Sequence, residues 1–106
     1  MIVEYIRYRI ETARTEEFLG AYDVAQASLQ QSPHCLGYEL TRCTEAPEHF
    51  TLRIEWDSAE GHLQGFRKSP GFGPFLAAVR PFVPSIEEMR HYAPTPLRWA
   101  RGEGAR

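Results

Sequence analysis

The chain has 106 residues, of which 42% are hydrophobic and 25% are charged, and its formal net charge at pH 7 is -2. This length suits one compact domain with a single core. The balanced charge, without a basic block, argues against nucleic acid or an anionic membrane surface as a partner. Because the sequence has neither a long apolar run nor a signal-peptide pattern, we expect a cytoplasmic protein.

Two hydrophobic periods alternate along the first half of the chain. Residues 2–10 alternate with period two, which predicts a strand. Apolar residues then recur at helical spacing from Phe18 to Leu29 and predict a helix that begins at Thr15 and ends near Ser32 and Pro33. Period two returns in residues 35–43 and again in residues 50–56, which predicts two more strands. In the first of these, Leu36, Tyr38 and Leu40 are expected on one face.

The second half of the chain predicts two helices and a last strand. Asp57 followed by Glu60 resembles a capping box and predicts a helix over residues 58–68. Pro74 suits the first turn of another helix. Residues 85–93 read as a strand, and residues 94–106, rich in Pro, Gly and Arg, read as a C-terminal tail without periodicity.

The element order β-α-β-β-α-β predicts an α+β fold of the ferredoxin-like class. In this class a four-stranded antiparallel sheet carries its helices on one face. The domain is expected to span residues 1–93, followed by the tail at 94–106. The other sheet face mixes aromatic and β-branched residues with charges of both signs, which favours a symmetric homodimer. The alternative is a monomer with a solvated, salt-bridged face.

The sequence shows no motif for a metal or a cofactor. The two cysteines, Cys35 and Cys43, fall in one predicted strand roughly 26 Å apart, which is too far for a disulfide. The four histidines at positions 34, 49, 62 and 91 have no metal-ligand spacing. We therefore expect no metal and no cofactor, although distant positions could still assemble a metal site.

Three segments carry a resemblance to a known family. They are SPHCLGYELTRC, FTLRIEWDSAEGH and the S-P-G-F at residues 69–72. With them the chain resembles the antibiotic biosynthesis monooxygenase family from Met1 to about Tyr92. The resemblance implies a dimeric α+β barrel. It also implies oxidation of a small aromatic molecule, since the family includes quinol and polyketide oxygenases as well as haem-degrading enzymes.

The haem-degrading members use an Asn, a Trp and a His that this chain lacks. The best-matching positions hold Arg7, Gly65 or Phe66, and Leu76. The resemblance therefore favours oxygenation over haem degradation. Other members place a His three residues before the Ser of the S-P motif, where this chain has Phe66.

Oxygenation without a cofactor needs a base and a dry pocket, because a phenol or enol that loses its proton can pass an electron to O2. The candidate bases are His62 and His91. The candidate substrate-binding residues are aromatic: Trp56, Phe66, Phe72, Phe75 and Tyr22. The predicted function is a cofactor-independent monooxygenase that acts on a phenol, quinol or polyketide-like molecule.

Alternative interpretations of the same residues stay open. Aromatic side chains at helical spacing also build ordinary cores, and His62 or His91 could be surface residues. The chain could then be a non-catalytic dimeric module that binds a hydrophobic metabolite, or a structural partner domain. Gly61 and Gly65 fall four apart in a predicted helix, where each costs roughly 1 kcal/mol against alanine. Their face predicts either an unfilled cavity or a close backbone crossing.

Overall fold

The computed structural model describes residues 1–102, and four strands and two α-helices form in the predicted order. The strands are β1 (Ile2–Arg9), β2 (Cys35–Arg42), β3 (His49–Trp56) and β4 (Ile86–Tyr92). The helices are α1 (Thr15–Gln31) and α2 (Phe72–Val79), and a π-helix spans Gly61–Gly65. Short 3-10 helices occupy Thr12–Arg14, Phe66–Lys68 and Arg80–Ser85. The predicted ferredoxin-like α+β class is confirmed.

The sheet is antiparallel throughout, with strand order β2-β3-β1-β4. Because β1 lies between β3 and β4, its residues from Val3 to Tyr8 face a partner on both sides; Ile6, for example, lies between Leu52 and Met89. The inward faces of β1 and β3 bury an apolar core against the helices. At about 1.5–3 kcal/mol for each large buried side chain, this core is the main source of stability.

Helix α1 has the predicted limits and the predicted buried face. Phe18, Tyr22, Ala25 and Leu29 are its buried residues. The helix ends where Ser32 becomes extended, because the proline that follows disfavours helical backbone at that position. The apolar stripe therefore determines which way α1 lies on the sheet.

A β-bulge in β2 contradicts the predicted pattern of that strand. The register shifts between Cys35 and Gly37, so Leu36 leaves the inward face and is 57% exposed. Cys35 packs against the core instead, opposite Trp56. The alternation was correct at Tyr38 and Leu40 but wrong at Leu36, because one extra residue at a bulge reverses the side-chain direction.

The helix predicted over residues 58–68 is not an α-helix. Only residues 59 and 60 are α-helical, and the π-helix and then a 3-10 helix follow them. The predicted capping box is also wrong, since the Gly61 N–H donates to the Ser58 hydroxyl at 2.8 Å. Asp57 instead accepts a hydrogen bond from Nδ1 of His34 at 2.9 Å. Wider π turns often occur at functional sites, where they redirect side chains.

A histidine side chain fills the space beside Gly61 and Gly65. A Cβ at Gly65 would lie 2.4 Å from Cδ2 of His34, and one at Gly61 would lie 1.9 Å from Oδ1 of Asp57. The predicted backbone crossing is therefore wrong, since side chains make the close approach, and a groove lined by His34 and Gly65 lies beside them. The glycines make room for the His34–Asp57 pair.

The other face of the sheet carries its own polar and aromatic contacts. Arg53 donates to Glu55 at 2.6 Å and to the Tyr5 hydroxyl at 3.3 Å, and the rings of Tyr5 and Tyr92 meet edge to face. Residues 93–100 continue past this face without helix or strand, and Trp99 is 70% exposed. The last part of the predicted tail, residues 103–106, lies outside the described residues. Within residues 1–102, every helix is too short or too polar to span a lipid bilayer.

Candidate active site

A cavity of about 170 Å³ lies between the sheet and the helices. All five predicted aromatic residues line it: Tyr22, Trp56, Phe66, Phe72 and Phe75. Both predicted histidines line it as well. Several of these aromatic side chains also belong to the core, so they close the cavity and stabilise the fold at once. That they bind a substrate stays a prediction.

Three polar side chains from different elements converge at one end of this cavity. Glu4 on β1 lies directly opposite His91 on β4, with both on the inward face of the sheet. His62 reaches the same place from the π-helix. We call Glu4, His62 and His91 the Glu–His–His network.

The network is held together by short contacts. Nδ1 of His62 lies 2.8 Å from Nε2 of His91, and Nε2 of His62 lies 3.5 Å from Oε1 of Glu4. The Trp56 indole N–H donates to the same Glu4 oxygen at 3.1 Å. The indole also stacks on the His62 ring, with centroids 4.4 Å apart and planes 10° apart. The Trp56 N–H therefore orients the buried acid.

Burial changes the protonation of the inner part of the network. Loss of hydration raises the pKa of Glu4 above its usual value, and the Trp56 hydrogen bond opposes this only in part. Loss of hydration also lowers the pKa of His62 to about 4, with smaller effects from His91 and Arg67. His62 is thus neutral near pH 7, and its contact with Glu4 is not an ion pair there.

The network runs from a buried acid to an accessible imidazole. The side chains of Glu4 and His62 are almost completely buried, whereas the side chain of His91 is 32% exposed. His91 is therefore the member that a bound molecule can reach. A proton accepted by His91 would be shared with His62 over their 2.8 Å contact.

A second polar pair, Tyr8 and Tyr22, also lines the cavity. Their hydroxyl groups share a short hydrogen bond. Burial raises the pKa of Tyr8 to about 12 and raises the pKa of Tyr22 as well. Both phenols therefore stay protonated at physiological pH and offer the cavity a polar but uncharged wall.

The Glu–His–His network is also a possible set of metal ligands. One donor atom from each side chain lies within 4.8 Å of the others, and two histidines with a carboxylate suit a divalent transition metal. The direct contact between Nδ1 of His62 and Nε2 of His91 opposes this use, since both lone pairs would have to turn toward an ion. In this geometry the residues fit a hydrogen-bonded network better than a metal centre.

Sequence reasoning missed Glu4, Tyr8 and Arg67, which all line the cavity. The signal for Glu4 was present, because it occupies an inward position between Ile2 and Ile6 on an alternating strand. A carboxylate at such a position is costly to bury unless partners stabilise it. That cost itself indicates a functional site.

Comparison with known proteins identifies the class to which this fold and site belong. The sequence profile of the antibiotic biosynthesis monooxygenase family matches residues 1–78. The chain belongs to this family.

Individual relatives are distant in sequence and similar in structure. The uncharacterized protein YczJ of Bacillus subtilis is 24% identical over 92 residues, covering 87% of this chain and 97% of YczJ. A candidate antibiotic biosynthesis monooxygenase of Bordetella bronchiseptica is 23% identical with a TM-score of 0.71, covering 89% and 96% of the two chains. SnoaB of Streptomyces nogalater, a cofactor-independent oxygenase, is 18% identical with a TM-score of 0.67, covering 92% and 93%. At these identities the two solved structures support the fold alone.

Proposed function

We propose that this protein is a cofactor-independent monooxygenase that oxidises a small phenolic or quinol-like molecule with O2. One observation carries the proposal: an accessible imidazole, His91, backed by His62 and Glu4, lines a cavity whose walls are mainly aromatic and aliphatic. Membership of the monooxygenase family supports the same reaction class.

The network offers one consistent arrangement of protons for a base. If Nε2 of His91 donates to Nδ1 of His62, the remaining nitrogen of His91 is free to accept a proton from a phenol. His62 then directs its own N–H toward Glu4, whose carboxylate is held by Trp56. The buried acid stabilises positive charge as it develops on the histidines.

The chemistry balances without an external reductant for a hydroquinone. Its anion passes one electron to O2, and the resulting semiquinone and superoxide combine into a C–O bond at a ring carbon. Loss of that carbon's proton and cleavage of the O–O bond then give a hydroxyquinone and water. All four electrons come from the substrate, and the protein supplies the base and the dry aromatic enclosure.

Oxygen consumption by the purified protein tests this function. We expect uptake of one O2 per molecule oxidised with single-ring hydroquinones or phenols, unchanged by a chelator, since the reaction proposed needs no metal. His91→Gln should lower the rate at least about tenfold, because general-base groups contribute on the order of 10²–10⁴. The matched control is His49→Gln, which changes a surface histidine that contacts Glu48 and Glu87 outside the cavity.

Two results would contradict the proposal. One is the absence of uptake with every phenol and quinol tested. The other is an equal rate in the His91 and His49 variants. Binding of apolar molecules without oxygen consumption would favour the alternative, a non-catalytic binding module. The homodimer and the cytoplasmic location expected from the sequence remain predictions.

A further inference from the structure

A cationic side chain, Arg67, lines the cavity and forms no ion pair with a carboxylate within residues 1–102. It follows the π-helix in the 3-10 helix Phe66–Lys68, and its guanidinium carbon lies 5.6 Å from the centre of the Phe72 ring. Within residues 1–102, the arginines that form ion pairs are Arg14, Arg53 and Arg90. Arg67 is exposed, so it belongs to the mouth of the cavity rather than to its buried end.

The charged groups that line the cavity differ in burial, because Glu4 is buried and Arg67 is exposed. Glu4 is buried at the inner end beside Trp56 and His62, where a second negative charge would be repelled and poorly hydrated. Arg67 is exposed, so an anion beside it would gain a charge-assisted contact and keep part of its hydration. An acidic molecule is thus oriented with its acid group outward.

The volume of the cavity limits the size of the rest of the ligand. At about 170 Å³ the cavity is smaller than the roughly 300–1,000 Å³ of typical ligand pockets. It is close to the roughly 150 Å³ of an engineered apolar cavity that holds one benzene. The rings of Phe66, Phe72 and Phe75 meet edge to face or stack around it, so the walls suit one flat ring. A fused tricyclic ring system would not fit inside.

We propose that the preferred ligand is a single-ring hydroxylated aromatic acid, with its carboxylate at Arg67 and its phenolic hydroxyl at His91. The inference rests on the proposed function only where it treats such a molecule as a substrate. The binding preference itself depends only on the cavity volume and on the positions of Arg67 and the Glu–His–His network.

Binding measured in the absence of oxygen tests this inference separately from the proposed oxidation. Calorimetric titration under argon would compare 2,5-dihydroxybenzoate, its methyl ester and unsubstituted hydroquinone. We expect the acid to bind about tenfold more tightly than the ester, in line with one charge-assisted contact at a partly exposed site. Arg67→Met should abolish that difference, and Arg67→Lys should restore part of it. The neutral hydroquinone should bind equally well to all three proteins.

Lys68→Met is the matched control, because it removes the same charge from the adjacent exposed residue, which does not line the cavity. An equal loss of acid binding in this variant would overturn the inference, since it would indicate a general charge effect. Equal binding of acid and ester by the native protein would overturn it as well. Acid-selective binding without later O2 uptake in air would refute only the proposed oxygenation. Oxidation of neutral hydroquinones without acid selectivity would refute only the assignment of Arg67.

Discussion

At the scale of single residues, the buried acid is the most informative feature of the site. Glu4 occupies a core position of the central strand and is held by the indole of Trp56, with His62 and His91 close to its carboxylate. A core built for stability alone would place an apolar residue there, because a buried polar group needs partners to offset its desolvation. The position of this carboxylate is therefore explained by its contacts with His62 and His91.

His62 should make the protein less stable in weak acid. The pKa of His62 is about 4 in the folded protein and about 6.5 in the unfolded chain, so the unfolded chain binds more protons between these values. Stability from this group is full above pH 6.5 and is lost as pH falls toward 4. Between pH 7 and pH 5 the loss is about 2 kcal/mol. Glu4 acts in the opposite direction, since its pKa is raised.

Urea unfolding at pH 7 and pH 5 measures this effect. His62→Phe keeps an aromatic ring against Trp56 and removes the titration, so the difference between the two pH values should shrink. The charged or titratable neighbours of His62 are Glu4, His91 and Arg67, and all of them remain in the variant. His49→Phe, at the surface, should leave the pH difference unchanged. An unchanged difference in the His62 variant would contradict the assignment.

At the scale of elements, the π-helix and its histidine partner form one unit. The His34 ring lies over the glycine face of the π-helix and is held by Asp57, whose pKa is lowered by the hydrogen bond from His34. The same π-helix carries His62 on its buried side. The packing of His34 outside therefore helps to position the histidine inside.

Gly65→Ala tests this packing. The added methyl group would meet the His34 ring, so we expect a loss of about 1–3 kcal/mol in unfolding free energy. In a His34→Ala background the same change should be neutral or stabilising, since alanine favours helix by about 1 kcal/mol over glycine. Gly20→Ala in α1 is the control, because its new Cβ would meet no atom within 4 Å. An equal effect of Gly65→Ala in both backgrounds would refute the contact.

The helices and strands also differ in how well the sequence predicts them. The limits of α1 and of the strands follow from local periodicity, because side-chain direction repeats at 3.6 or 2 residues. The bulge that exposes Leu36 and the His34 ring that fills the glycine face both depend on partners distant in sequence. The aromatic lining was recognisable by composition. The role of Glu4 could not be predicted in the same way, because it depends on the strand register that places Glu4 opposite His91.

At the scale of the whole molecule, the open face of the sheet is expected to be an interface. Its side chains already hold one another in place: Arg53 contacts both Glu55 and Tyr5, and Tyr5 meets Tyr92. Ordered side chains lose less conformational entropy when a partner covers them. A second copy of the chain, related by two-fold symmetry, is the simplest partner for such a face.

Sedimentation at micromolar concentration tests the dimer. The protein should sediment at twice the 12.2 kDa of one chain. Thr51→Arg adds a charge to the open face and should shift the protein toward the monomer. Val24→Arg is the control, because Val24 is exposed on α1 away from the sheet. A native protein that sediments as a monomer would refute the interface.

The placement of the two tryptophans gives the protein an internal fluorescent reporter. Trp56 is fully buried and stacked on His62, whereas Trp99 is exposed beside Arg101. Their emission should therefore differ, with the buried indole shifted to shorter wavelength and the exposed one to longer wavelength. Replacing Trp99 with Phe would leave a single emitter in contact with the Glu–His–His network. Ligand entry and protonation of His62 could then be followed by the fluorescence of Trp56, without an added label.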